Sequence, residues 1–375
     1  MQLRSFGRTG LRTSVIGLGG MRFDREAIAR GDLDSCAQVA VHAYERGVNY
    51  FDTAPKYCDD KSMDILALAL QRIPRERVFV ASKASPDNTG ERTADDVLRS
   101  IERHLRRLGT EYIDFFHLWC VLSLDMFRRY ERMGVIDGIL KARERGLVRH
   151  VSVSTHAGGE EVGKILESGY FEGCLLNYNA ANFAFRQRGL EAAARLGVGV
   201  VTMNPLGGGL IPQNPGYFSF LRSGPEDTVA RAAVRFNASH PEISVVLVGA
   251  STAEEVDEAV DAAEGLSPIS GAELDRLKGH VAGHMASLCT MCGYCEDHCP
   301  ASLPIPKLMD AYNSYLLSGR RASAPLERLD MHWDLSWELA GRCLGCRACE
   351  RRCTQRLPIV ERLREIGALG ARQSG

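Results

Sequence analysis

The chain has 375 residues, 45% of them hydrophobic and 25% charged, with a formal net charge of -1. That length exceeds what one small core needs, and that balance is ordinary for a globular protein, so neither nucleic acid nor an anionic membrane surface is indicated as a partner. The N-terminal MQLRSFGRTG has no apolar signal region and no run approaches the roughly 20 apolar residues of a membrane span, so a cytoplasmic protein with reduced thiols is expected.

From the N-terminus, short apolar, β-branched runs alternate with helical patterns. The runs are SVIGLGG, VNYFDT, RVFVASK, YIDFFHLW, RHVSVST, GCLLNYN, GVVTMNP and SVVLVGA. The clearest helix between them is TADDVLRSIERHLRRLG: Thr93 caps it, Asp96 completes a capping box, Val97, Ile101, Leu105 and Leu108 share a face, and Gly109 stops it. Eight strand–helix units predict an α/β fold, a (β/α)8 TIM barrel over residues 1–280, with its chemistry at the C-terminal strand ends. A doubly wound sheet is the alternative, but GLGG does not give G-x-G-x-x-G ahead of a helix. Cys36, Cys58, Cys120 and Cys174, scattered through this part, read as small buried hydrophobes.

Past Gly265 the pattern changes. GAELDRLKGHVAGHMASL reads as a connecting helix, and residues 281–375 as a small α-rich, bacterial-ferredoxin-like domain. CTMCGYCEDHCP and CLGCRACERRC each hold C-x2-C-x2-C-x3-C, the ligand run of two-cluster ferredoxins, in which the fourth cysteine serves the other cluster. One 4Fe-4S cluster then takes Cys289, Cys292, Cys295 and Cys353, and the second takes Cys343, Cys346, Cys349 and Cys299. Zinc needs only one tetrahedron, which two quartets exceed. Nearby His284 and His298 read as packing or surface residues, and the polar SGRRASAPLERLD between the quartets as a surface loop or lid.

The barrel strand ends carry YFDTAPKY, VASK, NPLGGG and VGASTAEEVDEAV, and with these the chain resembles the aldo/keto reductases, in the subgroup with a C-terminal two-cluster ferredoxin domain. Reducing a carbonyl with hydride leaves an alkoxide that needs a proton. The resemblance assigns Tyr57 as the acid, Lys83 as the cation expected to lower its pKa, and Asp52 as the partner of Lys83. Taken singly, these three would be a rim aromatic, a solvated lysine and a helix cap. The histidine that the family uses to orient the carbonyl is replaced by Trp119, so that role passes to the Trp119 indole, to a displaced His117, or to neither.

In the cofactor groove the resemblance points to Ser154, Asn177, Met203, Gly249, Ser251 and Thr252. Two positions depart from the family: Leu175 stands where glutamine is usual, and Met203 where an aromatic stacks on nicotinamide. Glu255 replaces a basic residue that would pair with a 2′-phosphate, which disfavours NADP(H) and leaves NAD(H) or no nicotinamide. Met21, Phe23, Trp119 and Met203 are expected to give an apolar lining.

The implied activity is an oxidoreductase acting on a small-molecule carbonyl or alcohol. Two alternatives are a nicotinamide-independent enzyme fed by an external ferredoxin or other electron carrier, and a non-catalytic electron-transfer or docking subunit.

Overall fold

Each of the eight apolar runs forms a strand: β3 (Ile16–Gly19), β4 (Tyr50–Asp52), β5 (Phe79–Ala84), β6 (Ile113–Val121), β7 (Val148–Thr155), β8 (Gly173–Asn177), β9 (Gly199–Met203) and β10 (Ile243–Val248). They close into a parallel barrel in the order β10-β3-β4-β5-β6-β7-β8-β9. The structure is a computed structural model and describes residues 1–282, 287–289 and 293–373, so His284 and Cys292 lie outside the described residues. No helix among the described residues is long and apolar enough to cross a membrane.

The barrel is preceded by an antiparallel hairpin, β1 (Leu3–Ser5) and β2 (Arg12–Ser14). Its strands are too short to show alternation, which is why the pattern of the sequence does not display it. The hairpin delivers Phe6 to the starts of β8 and β9. A Cβ at Gly199 would lie 2.2 Å from the Phe6 ring, so glycine there is a steric requirement. Phe6 is fully buried and joins Tyr50, Phe115, Leu175, Val201 and Val245 in one apolar cluster, with the Phe6 and Phe115 centroids 4.4 Å apart. The Ala94–Leu108 helix has its capping box: Asp96 N–H donates to Thr93, and the Asp96 carboxylate accepts from the Thr93 N–H.

Chain contacts divide the molecule into two units, one of Met1–Leu206 with Leu221–Leu274, the other of Gly207–Phe220 with Asp275–Gly375. The segment after β9, which begins within NPLGGG, thus groups with the C-terminal unit, where Arg328 donates to the Gln213 side chain. The described C-terminal elements are helical, chiefly Ile305–Leu317, Ala324–Trp333 and Ile359–Gln373. SGRRASAPLERLD, expected as a loop, is helical from Ala324 onward: Pro325 lies in the first turn, where its missing N–H costs nothing, and Leu329 is fully buried.

Candidate active site and cysteine sites

Strand register builds the barrel site. Lys83 on β5 pairs with His117 on β6, and Asp52 closes β4 opposite Ala81. Lys83 Nζ donates to Asp52 Oδ1 at 2.6 Å, with both side chains at most 2% exposed. Tyr57 arrives on the loop that follows β4, where Lys56, Cys58, Asp59 and Asp60 all take positive φ without being glycine. Such a run costs conformational energy, and strain of this kind clusters at functional sites. Lys83 Nζ lies 5.0 Å from the centre of the Tyr57 ring, and the Trp119 ring meets Tyr57 edge-on at 5.8 Å. The structure therefore brings Asp52, Tyr57, Lys83 and Trp119 together.

Burial is the largest influence on Tyr57 and raises its pKa; Lys83 pulls the other way without reversing it. The expectation of a lowered value is corrected accordingly, because a phenolate is costly to desolvate. Burial also works against charge on Lys83, yet Asp52 and Tyr57 together hold its pKa above the usual lysine value. Burial raises Asp52 against the pull of Lys83. His117 is fully buried, 3.7 Å from Asp52 Oδ2, and neither ring nitrogen has a hydrogen-bond partner among the described residues. Burial pushes its pKa well below the usual range, so the ring is neutral. It flanks the ion pair, away from the protein surface.

The residues assigned to the cofactor groove are largely engaged within the protein. Ser154 is buried at 1% exposure, and half-buried Met203 packs on the apolar cluster. Asn177 pairs with His156 Nδ1 at 3.0 Å and accepts from Asn182 at 3.2 Å, while Arg186 donates to its carbonyl and to that of Ala157. His156, Asn182 and Arg186, each at most 2% exposed, form a polar cluster that no spacing in the sequence announces. Arg22 covers Gly249, where a Cβ would lie 2.6 Å from the arginine side chain. Ser251 N–H donates to the Glu255 carboxylate at 2.7 Å, and Glu255 N–H donates to Thr252 Oγ1. The Ala253–Ala262 helix thus caps its own N-terminus, with a carboxylate where a phosphate would otherwise sit. Of the expected lining, Met21 is 54% exposed but Phe23 only 3%: its ring turns inward.

In the C-terminal unit two cavities gather the cysteines. One is lined by Cys289, Cys295 and Cys353. The other is lined by Cys299, Cys343, Cys346 and Cys349. Cys292 is not among the described residues. The fourth cysteine of each run thus joins the other run's cavity. Both halves share one backbone pattern. Cys299 N–H bonds to Glu296 and Cys353 N–H to Glu350, each at 3.1 Å, and Leu-Pro-Ile follows at 303–305 and 357–359, opening a helix each time. That repeat was a sequence signal beyond the cysteines. Buried Asn313 clamps the Cys289 backbone at both N–H and C=O, 2.8 Å each. Arg362, 6% exposed, has one guanidinium nitrogen without a partner among the described residues and interacts electrostatically with Cys289 and Cys353. An all-thiol donor set around two small cavities suits iron–sulfur clusters.

Comparison with known proteins agrees. Residues 15–282 match the aldo/keto reductase family and residues 288–357 the 4Fe-4S dicluster domain. An L-galactose dehydrogenase from Arabidopsis thaliana is 27% identical over 298 residues, covering 72% of this chain and 90% of that protein. An NADH-specific methylglyoxal reductase from Escherichia coli is 24% identical, covering 55% and 67%. Among solved structures, a putative aldo-keto reductase from Pseudomonas aeruginosa superposes with a TM-score of 0.55 at 25% identity, covering 69% and 94%. Aldo-keto reductase AKR11C1 from Bacillus halodurans, at 20% identity and a TM-score of 0.60 over 75% and 96% of the chains, shares the fold. The chain is an oxidoreductase that belongs to the aldo/keto reductase family, with a 4Fe-4S dicluster domain following its barrel.

Proposed function

We propose that the barrel interconverts a small carbonyl compound and its alcohol, with Tyr57 as the general acid and base. The observation that carries this reading is the buried Lys83–Asp52 pair set against the Tyr57 ring. A bound reduced nicotinamide would supply hydride to the carbonyl carbon. Tyr57 gives its proton to the carbonyl oxygen as negative charge gathers there, and the ammonium of Lys83 stabilises the phenolate left behind. Asp52 keeps Lys83 charged and in place. Half-buried Tyr57 recovers its proton from solvent. Trp119, edge-on to Tyr57, fixes the ring and narrows the approach to it, while neutral His117 lies 3.7 Å from Asp52 Oδ2.

Glu255, held on Ser251 N–H, repels a 2′-phosphate, so NADH is the favoured donor. The Escherichia coli relative, named as an NADH-specific methylglyoxal reductase, supports short aldehydes as a first substrate class. In the C-terminal unit Cys289, Cys292, Cys295 and Cys353 hold one 4Fe-4S cluster and Cys343, Cys346, Cys349 and Cys299 the other; the two cavities support this division. Their chemistry is one-electron transfer together with stabilisation of their own fold.

A second reading, favoured by the self-capped groove at Gly249, Ser251 and Glu255, dispenses with nicotinamide and feeds the barrel site from an external carrier. Oxygen-free protein assayed with NADH and with NADPH over a panel of short aldehydes tests the first reading. Turnover with NADH is expected; no turnover and no binding of either nicotinamide at millimolar concentration would transfer the case to the second.

A further inference from the structure

The two cysteine runs repeat one backbone pattern and differ in charge. Residues 288–310 contain one lysine, Lys307, against Glu296, Asp297 and Asp310, whereas the equivalent residues 342–364 contain seven arginines against two glutamates. In a chain whose formal net charge is -1, that is a local concentration of one sign.

Cysteines at equivalent places are alike in burial: Cys295 and Cys349 are buried, and Cys289, Cys343, Cys299 and Cys353 half-buried. The second cavity reaches the surface: Cys346 is exposed, and Leu344, which also lines the cavity, is 70% exposed. Arginines surround that opening. Arg351 donates to the Cys346 carbonyl at 3.2 Å, Arg364 comes within 3.4 Å of where a Cβ on Gly345 would lie, and exposed Arg342 precedes Cys343. Glu350 and Glu361 both pair with Arg347, at 3.6 and 3.8 Å. Arg342, Arg351 and Arg364 have no carboxylate partner among the described residues.

We propose that this face, with Leu344 at its centre and Arg342, Arg351 and Arg364 at its rim, docks an acidic one-electron carrier protein. The proposal rests on the reading that the second cysteine set holds a 4Fe-4S cluster. An apolar centre within a charged rim is the anatomy of a transient protein interface. Opposite charge across such a rim accelerates encounter by roughly 10 to 10³ at low salt, which suits a partner that must arrive, exchange and leave. Each docking would pass one electron from the carrier to the cluster that Cys299, Cys343, Cys346 and Cys349 would hold: the carrier would be oxidised by one and the cluster reduced by one, with no bond made or broken.

The experiment mixes the intact, iron-loaded chain with a dithionite-reduced acidic [2Fe–2S] ferredoxin in an oxygen-free stopped flow. The rate should fall about tenfold or more from low to high salt and by a similar factor in the Arg342→Glu/Arg364→Glu double variant. The milder Arg342→Gln/Arg364→Gln pair should fall between. Iron content, the electron paramagnetic resonance spectrum and direct reduction by dithionite should match the parent in both. Equal rates in parent and variants at both salts would overturn the proposal, as would a basic c-type cytochrome exchanging electrons as fast as the ferredoxin. Variants that lose affinity for duplex DNA while keeping the parent electron-transfer rate would assign the patch to nucleic acid and overturn it equally. A parent chain without iron would bring down the cluster reading first, and the missing resonance signal would show which had failed.

Discussion

In the barrel, strand register sets Lys83, Asp52 and His117 into a core that is complete in its own side chains. In the C-terminal unit the cysteines are part of the core: Cys295 and Cys349 are buried in its apolar cluster beside Leu308, Met309, Leu329 and Leu363, and Cys289, Cys299, Cys343 and Cys353 pack against it. The first arrangement is stable and then reactive. On the proposed reading the second draws part of its stability from its clusters, since metal binding is coupled to the folding of a small unit.

Removing iron from oxygen-free protein with a chelator is therefore expected to have the largest and most one-sided effect. Amide hydrogen-exchange protection should vanish in the Ile305–Leu317 and Ile359–Gln373 helices and persist in β3 to β10. Protection lost in both units, or in neither, would break the contrast.

Next in size is Lys83→Met, which leaves Asp52 as an uncompensated buried carboxylate and should cost the barrel about 3–5 kcal/mol. Lys83→Met/Asp52→Leu should recover most of that stability in denaturant melts and none of the turnover. Recovery of turnover with stability would show that the pair is structural only.

Acid should act on the barrel through its buried histidines. Burial lowers His104 to about 3 and pushes His117 and His156 well below the usual range. The folded values lie below the unfolded one, so the unfolded chain binds more protons in between. Stability is thus fully present above about pH 6.5 and is lost as pH falls toward 3. Melting temperature against pH reads this directly, and a flat profile from pH 7 to about 4 would contradict it.

The smallest effect is at the groove. Glu255→Lys should tighten NADPH binding by about tenfold (~1.4 kcal/mol) with little change for NADH, measured by fluorescence titration. Equal effects on both nicotinamides would mean that Glu255 does not face the phosphate.

Much of this could be read from the chain itself. All eight barrel strands, the Thr93 to Gly109 helix and the crossed cysteine sets follow from local patterns: alternation, capping residues and fixed ligand spacing. Pieces with no local pattern were hidden. Phe6 acts through two glycines far along the chain, and the His156–Asn177–Asn182–Arg186 cluster forms only when β7 and β8 lie side by side. The direction of the Tyr57 shift also escaped, because a charge partner can be recognised from sequence spacing while the depth of burial cannot. The helix at Ala324–Trp333 was missed for a related reason: its polar composition hides the few apolar residues it buries, Ala324, Pro325 and Leu329.

The proposed chemistry turns on a phenol beside an ammonium, and Tyr57→Phe removes only the oxygen of that phenol. With the iron content and its resonance signal unchanged from the parent, aldehyde reduction under oxygen-free conditions should fall about 10²- to 10⁴-fold. A variant that turns over as fast as the parent would show that the proton comes from elsewhere and that the constellation at Asp52, Tyr57 and Lys83 is not the catalytic one.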